Sequence, residues 1–360
     1  MKKKILSILL CILALSCVFT GCSKDKKDDK TVPPTSEGLV YKLMDEPAEG
    51  EEDQSYYAVI GYKGMSTEVL VPATYEGKPV LEIAPSAFED NTSIIGVTIE
   101  NGVTAMGNYA FYNCISLKRV DLGNTMQTIG YAAFEKCASL EKIAFPESIK
   151  TVGASAFVGC TLLKEVSFAQ TTETLVNADG TTELVASAVT IGKEAFKNCT
   201  DITTVTFAEA CIATIGEAAF DGCTALTTLT LGDGVKTIGI GAFRNCYALT
   251  AVSIPKSVTS IGKEAFKAGS VLATVKFDAE CKTTIADSTF SGCKKLASLT
   301  LGKNIKSIGA SVFNGCTELK TVNFEGTTAE WAKVSWKGKI TAETVVCSDG
   351  EVELKAPEKK

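Results

Sequence analysis

Residues 129–146 read IGYAAFEKCASLEKIAFP, and residues 238–255 read IGIGAFRNCYALTAVSIP. Two separate stretches thus carry Ile-Gly, Phe, Cys, Leu and a final apolar pair at identical offsets. Outward from them the phenylalanine recurs as Phe88, Phe111, Phe134, Phe157, Phe196, Phe220, Phe243, Phe266, Phe290 and Phe313. The step is 23 or 24 residues, except for one of 39 between Phe157 and Phe196. A fixed period of this length is the mark of a stacked repeat, in which each unit buries its apolar side against its neighbours.

Other columns keep step with the phenylalanine. Five positions before it stands an apolar residue, such as Ile83, Met106, Ile129 or Ile238, followed by Gly or Ala. Three positions after it stands Cys in eight coils, with Asn91 and Gly269 in the other two. Leu or Ile follows six after the Phe, as at Leu117, Leu140 and Leu226. Two apolar residues flank a variable one at the end of the unit, as Val120 and Leu122 do, or Val252 and Ile254. That alternation predicts a short strand with one face inward. A 23-residue coil cannot bury enough by itself to offset its own ordering, so stacking must hold it.

The string IGxxAFxxCxxLxxVxL resembles the BspA-type leucine-rich repeat of bacterial surface proteins. The resemblance covers roughly residues 55 to 345. It implies a mainly β repeat solenoid: a right-handed coil of about 23-residue units, with short parallel strands and a short helical turn around AFxxC. Residues 56–83 resemble the family's irregular first coil, and the segment around Gly326-Thr327-Thr328 and Glu330-Trp331 resembles its closing one. The expected layout is a capping coil at 39–82, ten coils over 83–325, and a cap and tail at 326–360. Members of the family are associated with adhesion to host proteins, extracellular matrix or other cells, and the resemblance brings no catalytic residues.

The N-terminus has the form of an export signal. Lys2, Lys3 and Lys4 precede an apolar run from Ile5 to Phe19. That run is short for a membrane span, which takes roughly twenty residues. It ends in Phe19-Thr20-Gly21-Cys22, which resembles a bacterial lipobox, with residues 1–21 as the signal and Cys22 as the lipidated residue. Cys17 is the competing cysteine, with the poorer match Ala14-Leu15-Ser16 ahead of it. Residues 22–38 are charged and Pro-containing, as a lipid-anchored tether would be. Export to a bacterial cell surface, with attachment to the membrane through lipid, is the expectation.

Composition narrows the chemistry. The chain has 360 residues, a net charge of −6 and no histidine. Ser-His and Cys-His nucleophilic pairs and histidine metal sites are therefore absent. No block of Lys and Arg offers a footprint for nucleic acid. Neither a cofactor nor a metal is expected, a monomer is expected, and an enzyme is not. Fourteen cysteines would ordinarily suggest a disulfide framework for an exported protein. Here most of them occupy one repeat slot, shared with Gly and Asn. Cys211 and Cys281 stand where other coils carry Val103, Val235, Val258 or Ile305. A column of buried thiols is the favoured reading, with one or two bridges between adjacent coils as the alternative. Phe111, Phe134, Phe157, Phe220 and Phe243, with Cys114, Cys137, Cys160, Cys223 and Cys246, are the expected structural core.

The variable positions of the predicted strand should face solvent. Arg119 and Lys142 stand on the charged early coils. Thr203, Thr204, Thr206, Thr227, Thr228 and Thr230 make a Thr-rich later stretch. Together they form the candidate binding face, although Thr also suits any exposed strand. The extra residues near 169–185 place Thr174-Leu175-Val176 and Glu183-Leu184-Val185 about Asn177-Ala178-Asp179-Gly180, a predicted hairpin with an Asp-Gly turn. The expected function is a cell-surface lipoprotein that acts as an adhesion or protein-interaction scaffold through its solenoid face, with host matrix or another cell as the partner. A surface lipoprotein for glycans or nutrients is the alternative.

Overall fold

A computed structural model of the protein describes residues 35–45, 53–169, 172–176, 182–186, 188–337 and 342–354. The export signal, Cys22 and the tip of the predicted hairpin, 177–180, lie outside these residues. The chain forms a β solenoid of about 23-residue coils whose strands stack in parallel ladders.

Two ladders run along it. The first is built from the short strand that ends in the Ile column, such as Thr128–Ile129, Thr151–Val152 and Val235–Ile238. It continues through single bridges from Ile261 to Ile285 and from Ile285 to Ile308. The second is the strand foreseen after the Leu slot, as in Arg119–Asp121, Thr204–Phe207 and Ala251–Ile254. It breaks into three sheets, and Glu165–Phe168, Thr204–Phe207 and Thr228–Thr230 form the middle one.

The AFxxC wall is not helix. It is a chain of tight turns in which the residues two before and two after each Phe have positive φ in all ten coils. In the second coil these are Tyr109 at +59° and Asn113 at +59°. Left-handed residues break any helix, which is why the helical turn implied by the resemblance takes this form. The freed N–H groups bond to the next coil instead: Tyr109 N–H to Tyr131 O at 2.9 Å, Phe111 to Ala133 at 2.7 Å and Asn113 to Glu135 at 2.8 Å. A third hydrogen-bonded wall thus joins the coils.

The core is one continuous cluster, and the ten phenylalanines form a stacked column inside it. Neighbouring rings lie nearly parallel, from 4.6 Å between Phe88 and Phe111 to 6.0 Å between Phe290 and Phe313. Tyr62 covers one end at 5.9 Å and Trp336 the other at 6.0 Å. The step from Phe157 to Phe196 spans the insertion, yet the rings stay 5.0 Å apart. The insertion therefore does not separate the rings. Its strands Thr172–Val176 and Thr182–Ala186 pair antiparallel with each other.

Antiparallel strands close both ends. Leu39–Met44 pairs with Tyr56–Tyr62 at the start, and Gly350–Glu353 with Thr344–Cys347 at the finish. A four-residue helix, Thr328–Trp331, sits at the C-terminal end with Thr327 and Glu330 as a capping box. These additions turn open ladder edges into paired ones.

Coil spacing depends on the glycine after the Ile column. A Cβ on Gly216 would lie 2.6 Å from Ile191 O and 2.8 Å from Gly192 C of the coil before. Ala286 occupies the same slot. There the ladder to the coil before thins to a single bridge, Ile261 to Ile285, and the ring spacing is 5.6 Å, against 5.0 Å between Phe196 and Phe220. Gly216→Ala should therefore cost about 2–3 kcal/mol in urea unfolding. Ala286→Gly should be neutral or stabilising; the opposite order would refute the close-approach account.

Candidate interaction surfaces

The middle sheet of the second ladder carries the Thr-rich stretch. Val205 and Phe207 point inward and are buried, and Thr204 and Thr206 alternate with them at half-exposed positions. Thr204 pairs in register with Thr228, and Thr206 with Thr230. Thr228 and Thr230 are exposed. The two remaining candidates, Thr203 and Thr227, are exposed but their hydroxyls are engaged: Thr203 donates to Lys164 O at 3.3 Å and Thr227 to Thr203 O at 3.2 Å. Four threonines of the six therefore present a flat polar surface, and the insertion departs just after Glu165–Phe168 of the same sheet.

Arg119 and Lys142 are exposed on the first sheet of this ladder, adjacent in register. Arg119 is also held: its Nη2 lies 2.6 Å from Glu68 Oε1 across Gly96. This face is thus charged at one end and small and polar in the middle.

The expected core residues sit inside. Phe111, Phe134, Phe157, Phe220 and Phe243 are buried in the ring column. Every cysteine among the described residues is buried. In the repeat slot each thiol donates to the carbonyl of the preceding coil's phenylalanine. Cys114 reaches Phe88 O at 3.0 Å, Cys137 reaches Phe111 O at 3.0 Å and Cys160 reaches Phe134 O at 3.2 Å. Cys223 and Cys246 do the same to Phe196 and Phe220 at 3.3 and 3.5 Å. The slot therefore holds a donor as well as a small apolar group. Asn91 stands in the first coil, where no earlier repeat offers that carbonyl; its Oδ1 instead accepts from Ser93 and Ile94 N–H. Burial pushes several of the cysteine thiols up: Cys211 to about 11, Cys316 to about 12, and Cys137, Cys160, Cys199 and Cys223 well above the ordinary range.

The turn wall carries charges that neighbouring coils pair. Arg244 spans Asp221 at 2.7 Å and Glu264 at 3.1 Å, and Lys193 meets Glu217 at 3.0 Å. Asp221 is buried and also accepts from Asn245 Nδ2 at 2.9 Å. Arg244→Ala would leave that carboxylate with one donor, so we expect a loss of about 2 kcal/mol in chemical denaturation. Rescue by Arg244→Lys should be partial, because an ammonium cannot reproduce the forked contact.

Near the start of the solenoid the same wall changes character. Tyr109, Tyr112 and Tyr131 gather there with Ser86, Glu89 and Glu135 around an open depression of about 510 Å3. The sequence reading missed this cluster. Among the described residues no group of three or more Cys, Asp or Glu is placed to hold a metal ion, and no helix is long and apolar enough to cross a membrane.

No curated protein matches the chain. Three bacterial leucine-rich-repeat proteins of known structure are similar to the chain. A T. pallidum leucine rich repeat protein is 23% identical, with 85% of this chain and 98% of that one covered and a TM-score of 0.37. A leucine-rich repeat protein from Bacteroides ovatus is 18% identical over 86% and 89%, with a TM-score of 0.43. A leucine rich cell surface protein from Faecalibacterium prausnitzii is 22% identical over 82% and 100%, with a TM-score of 0.40. The family model described as the BspA type leucine rich repeat region matches in six copies, over residues 81–178, 181–283 and 283–349. The chain therefore belongs to the BspA type leucine-rich-repeat family, a repeat scaffold of the kind that generally serves protein interaction and typically does no catalysis.

Proposed function

We propose that the protein is a cell-surface lipoprotein that displays its solenoid as an adhesion scaffold, anchored through Cys22 and binding a protein of the host matrix or of another cell. The observation that carries this is the middle sheet. Thr204, Thr206, Thr228 and Thr230 offer a rigid, flat, polar surface fixed by the ladder beneath it, and the regular repeat is interrupted beside it by the hairpin insertion. A surface held by backbone pairing loses little entropy when a partner docks. The lipid anchor follows from the lipobox and the short apolar run before it.

Two measurements test the proposal. Cys22→Ser should move the protein from the membrane fraction to the soluble one, while Cys17→Ser should not. The purified full-length protein should bind immobilised matrix proteins, and Thr204→Lys with Thr228→Lys should abolish that binding while leaving the far-ultraviolet spectrum unchanged. Retained binding in the double variant would reject the Thr face.

A further inference from the structure

Tyr109, Tyr112 and Tyr131 come from two adjacent coils. Tyr109 meets Tyr112 edge to face, with centroids 5.7 Å apart and planes at 80°. It meets Tyr131 in the same way, at 5.2 Å and 81°. Perpendicular rings make a corner, with ring faces turned in different directions, and not the flat platform on which a sugar ring stacks. Tyr109 and Tyr131 are 37% and 43% exposed, so their rings are partly open to solvent.

The corner has two carboxylates beside it. Glu89, Tyr112 and Glu135 occupy the same repeat position on three successive coils, so one carboxylate stands on either side of Tyr112. Further along the wall, acidic residues are matched with Lys or Arg, as Asp221 and Glu264 are with Arg244 and Glu217 is with Lys193. Among the described residues, no Lys or Arg lies at ion-pair distance from Glu89 or Glu135. The nearby Lys136 ammonium turns instead to Tyr112: it hydrogen-bonds the hydroxyl and lies 4.8 Å from the ring centroid. The cluster thus already engages one cation through a tyrosine hydroxyl, and it retains excess negative charge.

We infer that this corner is a binding site for a basic side chain, a guanidinium or ammonium, presented by a partner protein. The cation would sit against the ring faces of Tyr109 and Tyr131, where the ring quadrupole attracts it, with Glu89 and Glu135 supplying the opposite charge. The inference rests on the scaffold reading only in taking the cation from a protein. It concerns a different wall from the Thr-rich sheet, so either site can fail without the other.

The test uses the full-length protein with ring-labelled tyrosine, titrated at low salt with three probes: acetyl-Gly-Arg-Gly-amide, acetyl-Gly-Gly-Gly-amide and a chitin trisaccharide. The arginine peptide should move the ring signals of Tyr109, Tyr112 and Tyr131, and added salt should weaken it. Glu135→Gln should weaken it about fivefold and Tyr131→Ala by at least as much. Glu135→Gln changes no packed side chain, so it keeps the test valid if Tyr131→Ala unfolds. Absence of ring shifts with the arginine peptide, equal shifts with the glycine peptide, or shifts with the trisaccharide alone would each overturn the assignment.

Discussion

The protein should unfold cooperatively in mild alkali, with a midpoint between about pH 9 and 10. Seven thiols of the repeat column, Cys137, Cys160, Cys199, Cys223, Cys246, Cys293 and Cys316, are held in the neutral form by burial. An unfolded thiol ionises near its ordinary value of about 8.5. The folded state therefore binds more protons than the unfolded state above that pH, and stability must fall as pH rises. The contribution is fully present below the unfolded value and drains away above it. Each thiol costs about 2 kcal/mol at pH 10, and seven reach about 14 kcal/mol, the upper end of the roughly 5–15 kcal/mol that holds a domain together. Burial also raises Tyr41 and Tyr62, which adds to the same trend at higher pH.

The measurement is circular dichroism against pH, with thiolate absorbance followed in the same samples. Both should change in one step, and both should reverse on return to neutral pH under reducing conditions. Replacing Cys199, Cys223 and Cys246 together with Ala should move the midpoint upward, even though it removes three thiol-to-carbonyl bonds and weakens the fold at pH 7. A protein that keeps its spectrum at pH 11, or whose thiolate signal grows without loss of structure, would contradict the buried-donor column.

The columns were legible in the sequence because each answers a single constraint. A slot that must be dry and of fixed volume in every coil repeats one residue type, as Phe and Ile do. The second strand was legible because Val205 and Phe207 alternate with outward residues. The first ladder was not, because in half of the coils it is two residues long, as in Thr128–Ile129, and two residues have no period. The left-handed position after the Phe carried a signal, since Asp90, Asn113, Gly159 and Asn198 are residue types that accept positive φ. The position before it did not: Tyr109 and Glu194 adopt the same conformation because bonds to the next coil hold them there. The tyrosine corner was hidden for a related reason. Tyr109 and Tyr131 occupy different repeat slots, and only the 23-residue step, which sets Tyr131 beside Asn108, brings them together. On the Thr face the sequence named six candidates alike; the backbone carbonyls that engage Thr203 and Thr227 could not be read from it.

Phe196→Ala should be the most damaging single replacement in the ring column, at about 4 kcal/mol. Phe196 is fully buried and stacks on both faces, 5.0 Å from Phe157 and 5.0 Å from Phe220. Phe145 and Phe168 meet it edge to face at 6.1 and 6.5 Å. Its removal therefore strips ring contacts from four neighbours, and three hydrogen-bonded walls prevent the coils from closing the gap. The position matters as much as the contacts. In a solenoid each coil is stabilised only by its neighbours, so a weak central coil separates two blocks that can then unfold independently. Urea unfolding should pass from one transition to two, and the apparent m-value of each should fall in proportion to the surface it exposes. Phe313→Ala, next to the C-terminal cap and 6.0 Å from each of its ring neighbours, should cost less and keep a single transition. Tyr247→Ala, at an exposed position, should cost under about 0.5 kcal/mol and serves as the control. If the central and terminal replacements proved equal, the coils would be acting as a single cooperative core, and coupling between neighbouring coils would not be what holds the solenoid together.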